Sequence, residues 1–298
     1  MAEQLPEWQR KVLADNQLTG QYLVGARKWF NPVAEVLAAH HNSAGRPLLV
    51  AVNGSQGSGK STLCHYLCEY LGAEHRLSCL ALSLDDFYLT APQRRQLAID
   101  IHPLFATRGV PGTHDMGLLA RTLDSLLAGR ATRVPRFDKA ADDRVPEADW
   151  EAVPAGVDMV LLEGWCLGAT PQPIDELAAP VNALESAEDA DGHWRNHVNA
   201  VLSERFSPLY QRVDEWLMLQ APSFDCVYRW RLEQEQKLAR RRQGEGLMDE
   251  AQIARFIQHY QRLTEHCLRQ LPPRVNHVFR LDAERAVQSY SMNPGGQV

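Results

Sequence analysis

The sequence predicts an α/β fold in which a parallel sheet is covered by helices on both faces. Five short apolar segments, each long enough for one buried strand, alternate with segments of helical periodicity. A glycine-rich turn directly follows the first of these apolar segments. The chain has 298 residues, of which 45% are hydrophobic and 23% charged, and this composition is typical of a globular enzyme.

Residues 1–45 show helical periodicity of their apolar side chains. Trp8 and Val12, for example, are one helical turn apart. We expect these residues to form a helical N-terminal cap that covers the core of one larger domain, residues 46–298. The sequence contains no internal repeat and no clean linker that would divide this domain.

The remaining elements follow in a regular order. We expect strands at residues 47–52, 78–84, 158–163, 216–220 and 275–281, and helices at residues 61–71, 115–127, 224–243 and 249–271. Gly244 and Gly246 separate the last two helices, so the surrounding residues, about 229–250, are predicted to form a helical lid. An insertion with short helices is expected at about 166–200, and a frayed glycine-rich tail after the last strand.

Composition and charge argue against several classes of function. The net charge of −6 provides no cationic field, so we expect no binding to nucleic acid. No apolar run reaches the roughly 18 residues of a membrane span, and the first 13 residues carry charges where a signal peptide is apolar. The six cysteines form no CxxC pair. We therefore expect a cytoplasmic protein with reduced, mostly buried thiols and no membrane partner.

The glycine-rich turn fits the phosphate-binding pattern GxxxxGK[ST] at every required position. It also has the required context, between a buried strand and a helix. Its backbone amides and the start of the helix form a cradle for phosphate, which predicts a P-loop NTPase fold with three layers. Lys60 is expected to contact the β- and γ-phosphates of ATP, and Ser61 to bind Mg²⁺. The predicted nucleotide-binding residues are Gly54, Ser55, Gln56, Gly57, Ser58, Gly59, Lys60, Ser61 and Thr62.

Acidic residues at two strand ends favour a small-molecule kinase. The chain has neither the NKxD motif of GTPases nor the LSGGQ motif of ABC-type ATPases. A kinase instead needs a carboxylate that accepts the proton of an acceptor hydroxyl, and Asp85 is the better candidate of the Asp85–Asp86 pair. Asp86 alone also suits a turn. Glu163 ends the third predicted strand, where it either helps to hold Mg²⁺ or caps the next turn.

Two loops carry groups that suit the binding of a small anion. In the first loop Arg108 and His114 supply donors, and Asp115 suits either the site or the N-cap of the following helix. In the second loop Arg136 and Lys139, followed by Arg144, either clamp an anion or belong to a solvated surface.

A basic helix follows the fourth predicted strand. Acidic residues interrupt its positive charges, so we interpret it as part of a lid that brings arginines onto the phosphates rather than as a surface for nucleic acid. Its basic residues are Arg229, Arg231, Lys237, Arg240, Arg241 and Arg242.

The order of these motifs resembles the P-loop kinase family that contains phosphoribulokinase, uridine kinase and pantothenate kinase. The resemblance runs from about residue 46 to residue 281 and is strongest to the D-glycerate 3-kinase branch. It is carried by residues 54–62, SLDDFYLT at 83–90, RGVPGTHD at 108–115, RFDK at 136–139 and EGWC at 163–166. Asp86 stands where the family commonly has serine.

The resemblance implies roles for individual residues. Asp85 matches the catalytic base of the family and Glu163 matches the metal-associated acid. Arg108, His114 and Asp115 are implied to line the acceptor site, while the role of Asp86 stays open between a metal contact and structure. The full set of predicted substrate-binding residues is Asp86, Tyr88, Arg108, His114, Asp115, Arg136 and Lys139.

We therefore expect a kinase that uses ATP and Mg²⁺ to phosphorylate a hydroxyl of a small hydroxy acid, with D-glycerate as the leading acceptor. A uridine- or pantothenate-type acceptor is the alternative within the same family. A nucleotide-binding regulator that acts through a protein partner is the alternative outside it. The oligomeric state stays open.

Overall fold

Strands of the computed structural model form one central sheet and two small two-stranded sheets. The structure describes residues 5–241 and 250–298, with only the backbone described over 234–241. In chain order the strands are β1 (Leu48–Gly54), β2 (Cys79–Ser83), β3 (Thr132–Val134), β4 (Phe137–Asp138), β5 (Asp143–Arg144), β6 (Glu151–Val153), β7 (Met159–Gly164), β8 (Glu215–Gln220), β9 (His277–Leu281) and β10 (Val287–Met292). The central sheet has the order β10-β9-β8-β1-β7-β2. The antiparallel pair β3–β6 and the hairpin β4–β5 form the two small sheets.

Helices cover both faces of this sheet. The helices are α1 (Glu7–Asp15), α2 (Gly20–Trp29), α3 (Asn31–Ala44), α4 (Lys60–His75), α5 (Ala91–Asp100), α6 (Met116–Leu127), α7 (Ala183–Glu188), α8 (His193–Val201), α9 (Ser207–Tyr210), α10 (Phe224–Arg241) and α11 (Glu250–Gln270). The predicted glycine break at 244–246 and Arg242 lie outside the described residues, as do the side chains of Lys237, Arg240 and Arg241.

The five predicted strands are confirmed as β1, β2, β7, β8 and β9, which pair in parallel. The prediction of a frayed tail is wrong over the last strand. β10 pairs antiparallel with β9, and the turn between them is closed by the Asp282 amide, which donates to the Ala286 carbonyl at 2.9 Å. Farther along, the Asn293 amide donates to the Asn276 carbonyl at 2.7 Å, so the tail stays attached to the sheet beyond β10.

Alternate residues of β1 build the cores on the two faces of the sheet. Leu48, Val50 and Val52 belong to one buried cluster, and Leu49 and Ala51 belong to the other. This is the period of two that a strand buried on both faces requires.

The N-terminal helices pack on the face to which Leu48 and Val50 point. Phe30 at the end of α2 meets Phe279 of β9 edge to face, with ring centroids 5.1 Å apart. Val33 and Leu37 of α3 are fully buried in the same cluster. The helices therefore share a core with the central sheet.

The topology brings three strand ends to one edge of the sheet. β7 lies between β1 and β2, so the glycine-rich loop after β1, the acidic turn after β2 and Glu163 near the end of β7 are neighbours. Open α/β sheets bind their ligands at this carboxyl edge.

No helix in residues 5–241 and 250–298 is both long and apolar enough to cross a membrane. All six cysteines are free, and four of them are buried.

Candidate active site

A cavity of about 690 Å³ opens at this carboxyl edge. The glycine-rich loop lies at its centre, with a more polar end on one side and a more apolar end on the other. At the first end lie Asp85, Tyr88, Arg108, Lys139, Glu163, Trp165, Arg231, Phe256 and Tyr260. At the second end lie Asn16, Leu18, Tyr22, Phe30, Leu219, Leu281, Glu284, Arg285 and Val287. One cavity therefore joins the phosphate cradle to the predicted base.

The glycine-rich loop has the geometry of a phosphate cradle. Gly59 adopts a φ of +98°, which L side chains rarely adopt, and a Cβ added there would project into open space. α4 begins at the next residue, so its free amides face the loop. Three buried polar atoms of the loop have no hydrogen-bond partner among the described residues: Ser55 Oγ, Gln56 Oε1 and Ser58 Oγ. The two serine hydroxyls can donate to the oxygens of a bound triphosphate, whereas Gln56 Oε1 can only accept a hydrogen bond.

The residues predicted to bind Mg²⁺ are in direct contact. Ser61 donates a hydrogen bond from its hydroxyl to Glu163 Oε1 at 2.8 Å. Lys60 Nζ lies 3.8 Å from Glu163 Oε2 and donates to the Ser55 carbonyl at 3.2 Å. A hydroxyl beside a carboxylate is an oxygen donor set that fits Mg²⁺, with Lys60 beside it for the phosphates.

Asp85 is held by two hydrogen bonds at the edge of the cavity. It lies in a 3₁₀ turn, Leu84–Phe87, that follows β2. Its Oδ2 accepts from Lys139 Nζ at 2.8 Å and its Oδ1 from the Tyr88 hydroxyl at 2.9 Å. Burial raises the pKa of Asp85, but Lys139, then Lys60 and Tyr88, outweigh this effect and lower it to about 2. The carboxylate is therefore ionised and ready to accept a hydrogen bond.

Two hydrogen bonds hold the loop that carries Arg108, one from helix α11 and one from Trp165. The Tyr260 hydroxyl donates to the Arg108 carbonyl at 3.0 Å, and Trp165 Nε1 donates to the Gly109 carbonyl at 3.2 Å. The Arg108 guanidinium bonds Asp142 and lies over the Phe137 ring. These contacts hold its charge beside the cavity, near Lys139.

Asp86 and Arg136 do not line the cavity in the part of the chain that the structure describes. Asp86 accepts from the Phe137 amide and from Arg136 Nη1, both at 3.0 Å, and Arg136 also bonds Glu151. Burial raises the pKa of Asp86 more than these donors lower it. The two residues therefore connect the turn after β2 to the β4–β5 hairpin, which carries Lys139. They do not lie at the predicted substrate site.

His114 and Asp115 are also absent from the described cavity wall. The His114 ring is buried and stacks on Tyr88 with centroids 4.5 Å apart, and burial lowers its pKa to about 4. Asp115 caps α6 by accepting from the Leu118 amide at 2.9 Å and bonds Arg144 at 3.2 Å. The contacts of Asp115 are therefore those of a helix N-cap. His114 packs its ring against the Tyr88 ring.

Several residues of the cavity wall were missed by sequence reasoning. Trp165 follows Glu163 within EGWC, so the motif gave a usable signal for it. Phe256 and Tyr260 come from α11, whose sequence shows the periodicity of an amphipathic helix and no binding motif. Apart from Leu219 of β8, the residues at the apolar end come from the two ends of the chain, where no motif marks them. Arg231, one of the predicted lid arginines, does line the cavity.

Comparison with known proteins agrees with this geometry. The family model "Phosphoribulokinase / Uridine kinase family" matches residues 49–178. The "Uncharacterized kinase mug58" of Schizosaccharomyces pombe is 35% identical over 231 residues, which cover 72% of this chain and 79% of that protein. The chloroplastic D-glycerate 3-kinase of Arabidopsis thaliana is 31% identical over 224 residues, which cover 72% of this chain and 46% of that protein.

A solved structure confirms the predicted fold class. The D-glycerate 3-kinase from Cryptococcus neoformans var. grubii superimposes with a TM-score of 0.73 at 25% identity. The match covers 87% of this chain and 96% of that one. The central parallel sheet with its flanking helices is thus a P-loop NTPase fold.

Proposed function

The chain belongs to the phosphoribulokinase/uridine kinase family of kinases, and from this premise we propose that it transfers the γ-phosphate of ATP to the 3-hydroxyl of D-glycerate. One observation carries the proposal. A single cavity contains the phosphate loop with Lys60, the Ser61–Glu163 pair, and Asp85 beside two cationic side chains, Arg108 and Lys139. This set supplies what phosphoryl transfer to an alcohol requires.

In the proposed reaction, Asp85 positions the acceptor hydroxyl and accepts its proton. The hydroxyl oxygen forms a bond to the γ-phosphorus while the bond from that phosphorus to the β,γ-bridging oxygen breaks. The bonding electron pair leaves with ADP, and the proton goes to a carboxylate oxygen of Asp85. Ser61 and Glu163 would hold Mg²⁺, which supplies neutralisation of phosphate charge when bound.

Lys60 and the loop amides hold the phosphates during transfer. Lys60 lies beside Glu163 and next to the free amides of α4, so its charge is fixed near the point where negative charge develops. Arg231 lies at the polar end of the cavity, over the Phe256 ring, and supplies a second positive charge from the helix predicted to form the lid.

The charges at the acceptor end favour a small carboxylate substrate. Arg108 and Lys139 lie at this end, and the rings of Trp165 and Tyr260, which meet edge to face, also line it. Guanidinium and ammonium groups bind a carboxylate by charge-assisted hydrogen bonds. Uridine has no carboxylate to engage these groups, and pantothenate carries one on a much longer chain. The similarity to two proteins named D-glycerate 3-kinase supports the choice of D-glycerate.

A panel of acceptors tests the proposal. Purified protein is incubated with ATP and Mg²⁺ plus D-glycerate, L-glycerate, uridine or pantothenate, and phosphorylated products are identified by mass spectrometry. We expect kcat/KM to be highest for D-glycerate and at least about 10²-fold above the value for uridine, because a site built to bind a charged group rejects a substrate without it. A higher kcat/KM for uridine or pantothenate would reject D-glycerate as the acceptor. ADP release with no phosphorylated product would instead favour the regulator alternative.

A further inference from the structure

A carboxylate outside the described cavity wall connects two arginine side chains. Asp142 lies in the turn of the β4–β5 hairpin and does not line the cavity in the described ranges. Its Oδ2 accepts a hydrogen bond from Arg94 Nη2 at 2.7 Å, and its Oδ1 accepts one from Arg108 Nη1. Each oxygen of the carboxylate is therefore bonded to a different arginine.

Arg94 is the fixed member of this group. Its side chain, which comes from α5, is only 1% exposed. It donates to the Leu89 carbonyl at 2.7 Å and to the Asp142 carbonyl at 2.8 Å. Burial lowers the pKa of Arg94, and the charge of Asp142 is the largest effect that opposes this shift. A buried guanidinium with two backbone acceptors has little freedom to move, so it fixes the position of Asp142.

The backbone of Asp142 adopts a conformation that suits glycine better than aspartate. Its φ is +52°, in the left-handed region where a Cβ is a source of strain. A glycine would fit this turn with less strain but would make neither side-chain contact with the arginines. A strained position that is occupied by a bonded side chain points to a role for that side chain.

Arg108 keeps hydrogen-bond donors for a ligand while it is bonded to Asp142. A guanidinium has five N–H donors, and the bond to Asp142 uses Nη1. Nε and Nη2 can therefore still be offered to a carboxylate in the cavity, which Arg108 lines. The Phe137 ring, whose centroid is 5.3 Å from the guanidinium carbon, limits the movement of the same group.

Asp142 has two opposite effects on the binding of a carboxylate by Arg108. Its negative charge repels the ligand, but its side chain is 49% exposed, so water screens this repulsion. Its bond to Arg108 also removes rotational freedom from a long side chain before the ligand arrives, and binding then costs less entropy. Because the repulsion is screened and the bond is direct, we expect the second effect to be larger.

We propose that Asp142 is a positioning residue that holds Arg108 for the carboxylate of the acceptor, with Arg94 as its fixed support. Asp142 acts through Arg108 and contacts neither the acceptor nor ATP. This inference rests on the proposed function, because it takes Arg108 as a group that binds the carboxylate of the acceptor.

Steady-state kinetics of Asp142→Gly test this proposal. Glycine fits the φ of +52° and removes both side-chain contacts with the arginines. We expect the KM for D-glycerate to rise about threefold to tenfold, while kcat and the KM for ATP change by less than about twofold.

Asp142→Asn is a second variant that keeps the size of the side chain and also tolerates a positive φ. Its amide oxygen can accept from one arginine but carries no charge, so the KM for D-glycerate should rise about twofold to threefold. This variant carries the same test if Asp142→Gly does not fold.

Asp143→Asn is the matched control, since Asp143 is the next residue of the same hairpin. Its Oδ1 accepts from the Ala91 amide at 2.9 Å and from the Arg144 amide at 2.8 Å, and an asparagine oxygen can accept both bonds. The substitution therefore removes a charge from the hairpin and leaves its contacts in place. Both KM values should stay unchanged.

A double-mutant cycle with Arg108→Met separates the positioning of Arg108 from a displaced hairpin. If Asp142 acts through Arg108, Asp142→Gly should cause no further rise in the KM for D-glycerate in the Arg108→Met background. A displaced hairpin would also move Lys139, which bonds Asp85, and would change kcat in both backgrounds.

An unchanged or lower KM for D-glycerate in the Asp142 variants would overturn the positioning role and leave the proposed function standing. The same rise in KM with and without Arg108 would overturn it as well, because Asp142 would then act independently of Arg108. A wild-type protein that does not phosphorylate D-glycerate would overturn the proposed function and this inference together.

Discussion

Among single residues, Lys139 lowers the proton affinity of the proposed base more than any other neighbour does. Burial raises the pKa of Asp85, but Lys139, with Lys60 and Tyr88, lowers it to about 2, where a carboxylate is a weak proton acceptor. A carboxylate substrate that binds Lys139 would compete for the same ammonium group. We expect the pKa of Asp85 to rise when this happens, so that the base becomes stronger when the acceptor is present.

Replacement of Lys139 by methionine tests this link. Removal of the positive charge takes away an interaction that lowers the pKa of Asp85, so the folded-state pKa rises. The acid limb of the kcat/KM profile, which reports the free enzyme, should therefore move to higher pH by about 1 unit or more. Lys139→Arg keeps the charge and should leave the limb near its wild-type position. An acid limb that stays in place in Lys139→Met would show that Lys139 does not control Asp85.

The sequence favours Asp85 over Asp86 as the base, but it does not show which of the neighbouring acids and bases share the cavity with Asp85. Asp85 and Asp86 are adjacent in the chain, and only packing shows that one faces the cavity while the other bonds Arg136. His114 belongs to a motif of the family branch, yet its ring lies behind Tyr88. Residue type and spacing predict a group that can do chemistry, whereas the direction of the side chain depends on tertiary contacts that are distant in sequence.

At the level of elements, the loop between β1 and α4 is the part of the site that the sequence specifies most completely. Its glycines are needed by local backbone geometry, and a local requirement is readable from a local pattern. The parallel strands were predictable for a similar reason, since strands buried on both faces are continuous apolar runs.

The edge strand β10 was missed because its residues, 287–292, are all half-buried or exposed, show no regular alternation of burial and follow an acidic turn. Antiparallel edge strands carry only this weaker signal. The role of α1 and α2 in the cavity wall was missed because their periodicity predicts burial without saying what they cover. The position of β10 and that of α1 and α2 depend on the residues that they pack against, which the local sequence does not show.

Gly59→Ala separates the loop's role in binding from its role in folding. An added Cβ at Gly59 meets nothing within 4 Å, but the φ of +98° is one that alanine rarely adopts, so the substitution would disturb the backbone of the proposed phosphate cradle. We expect a loss of about 1–2 kcal/mol in the free energy of unfolding from backbone strain, and at least about tenfold weaker ATP binding by titration.

Gly129→Ala is the matched control, because Gly129 also has a positive φ, +67°, and open space around its Cβ position. It lies outside the described cavity wall. The control should lose a similar amount of stability and keep its affinity for ATP. Equal ATP affinity in the two variants would contradict the role of Gly59 in the cradle.

For the whole molecule, the strand order decides how the pieces of the site meet. With β7 between β1 and β2, three strand ends contribute the phosphate loop, Glu163 and Asp85 to one edge. The N-terminal helices and the β9–β10 hairpin then extend the same cavity on the other side of the loop. The fold class was predictable from the pattern of elements, while the single cavity depends on contacts between residues more than 200 positions apart in the chain.

The most direct test of the account is the turnover of Asp85→Asn with ATP, Mg²⁺ and D-glycerate, measured as phosphorylated product, together with its affinity for ATP. The account predicts that kcat falls about 10²- to 10⁴-fold while ATP binds no more weakly than to the wild-type protein, because the substitution removes the proton acceptor and leaves the phosphate loop intact. A variant that keeps kcat within about tenfold of wild type would contradict the assignment of Asp85 as the base and, with it, the proposed mechanism.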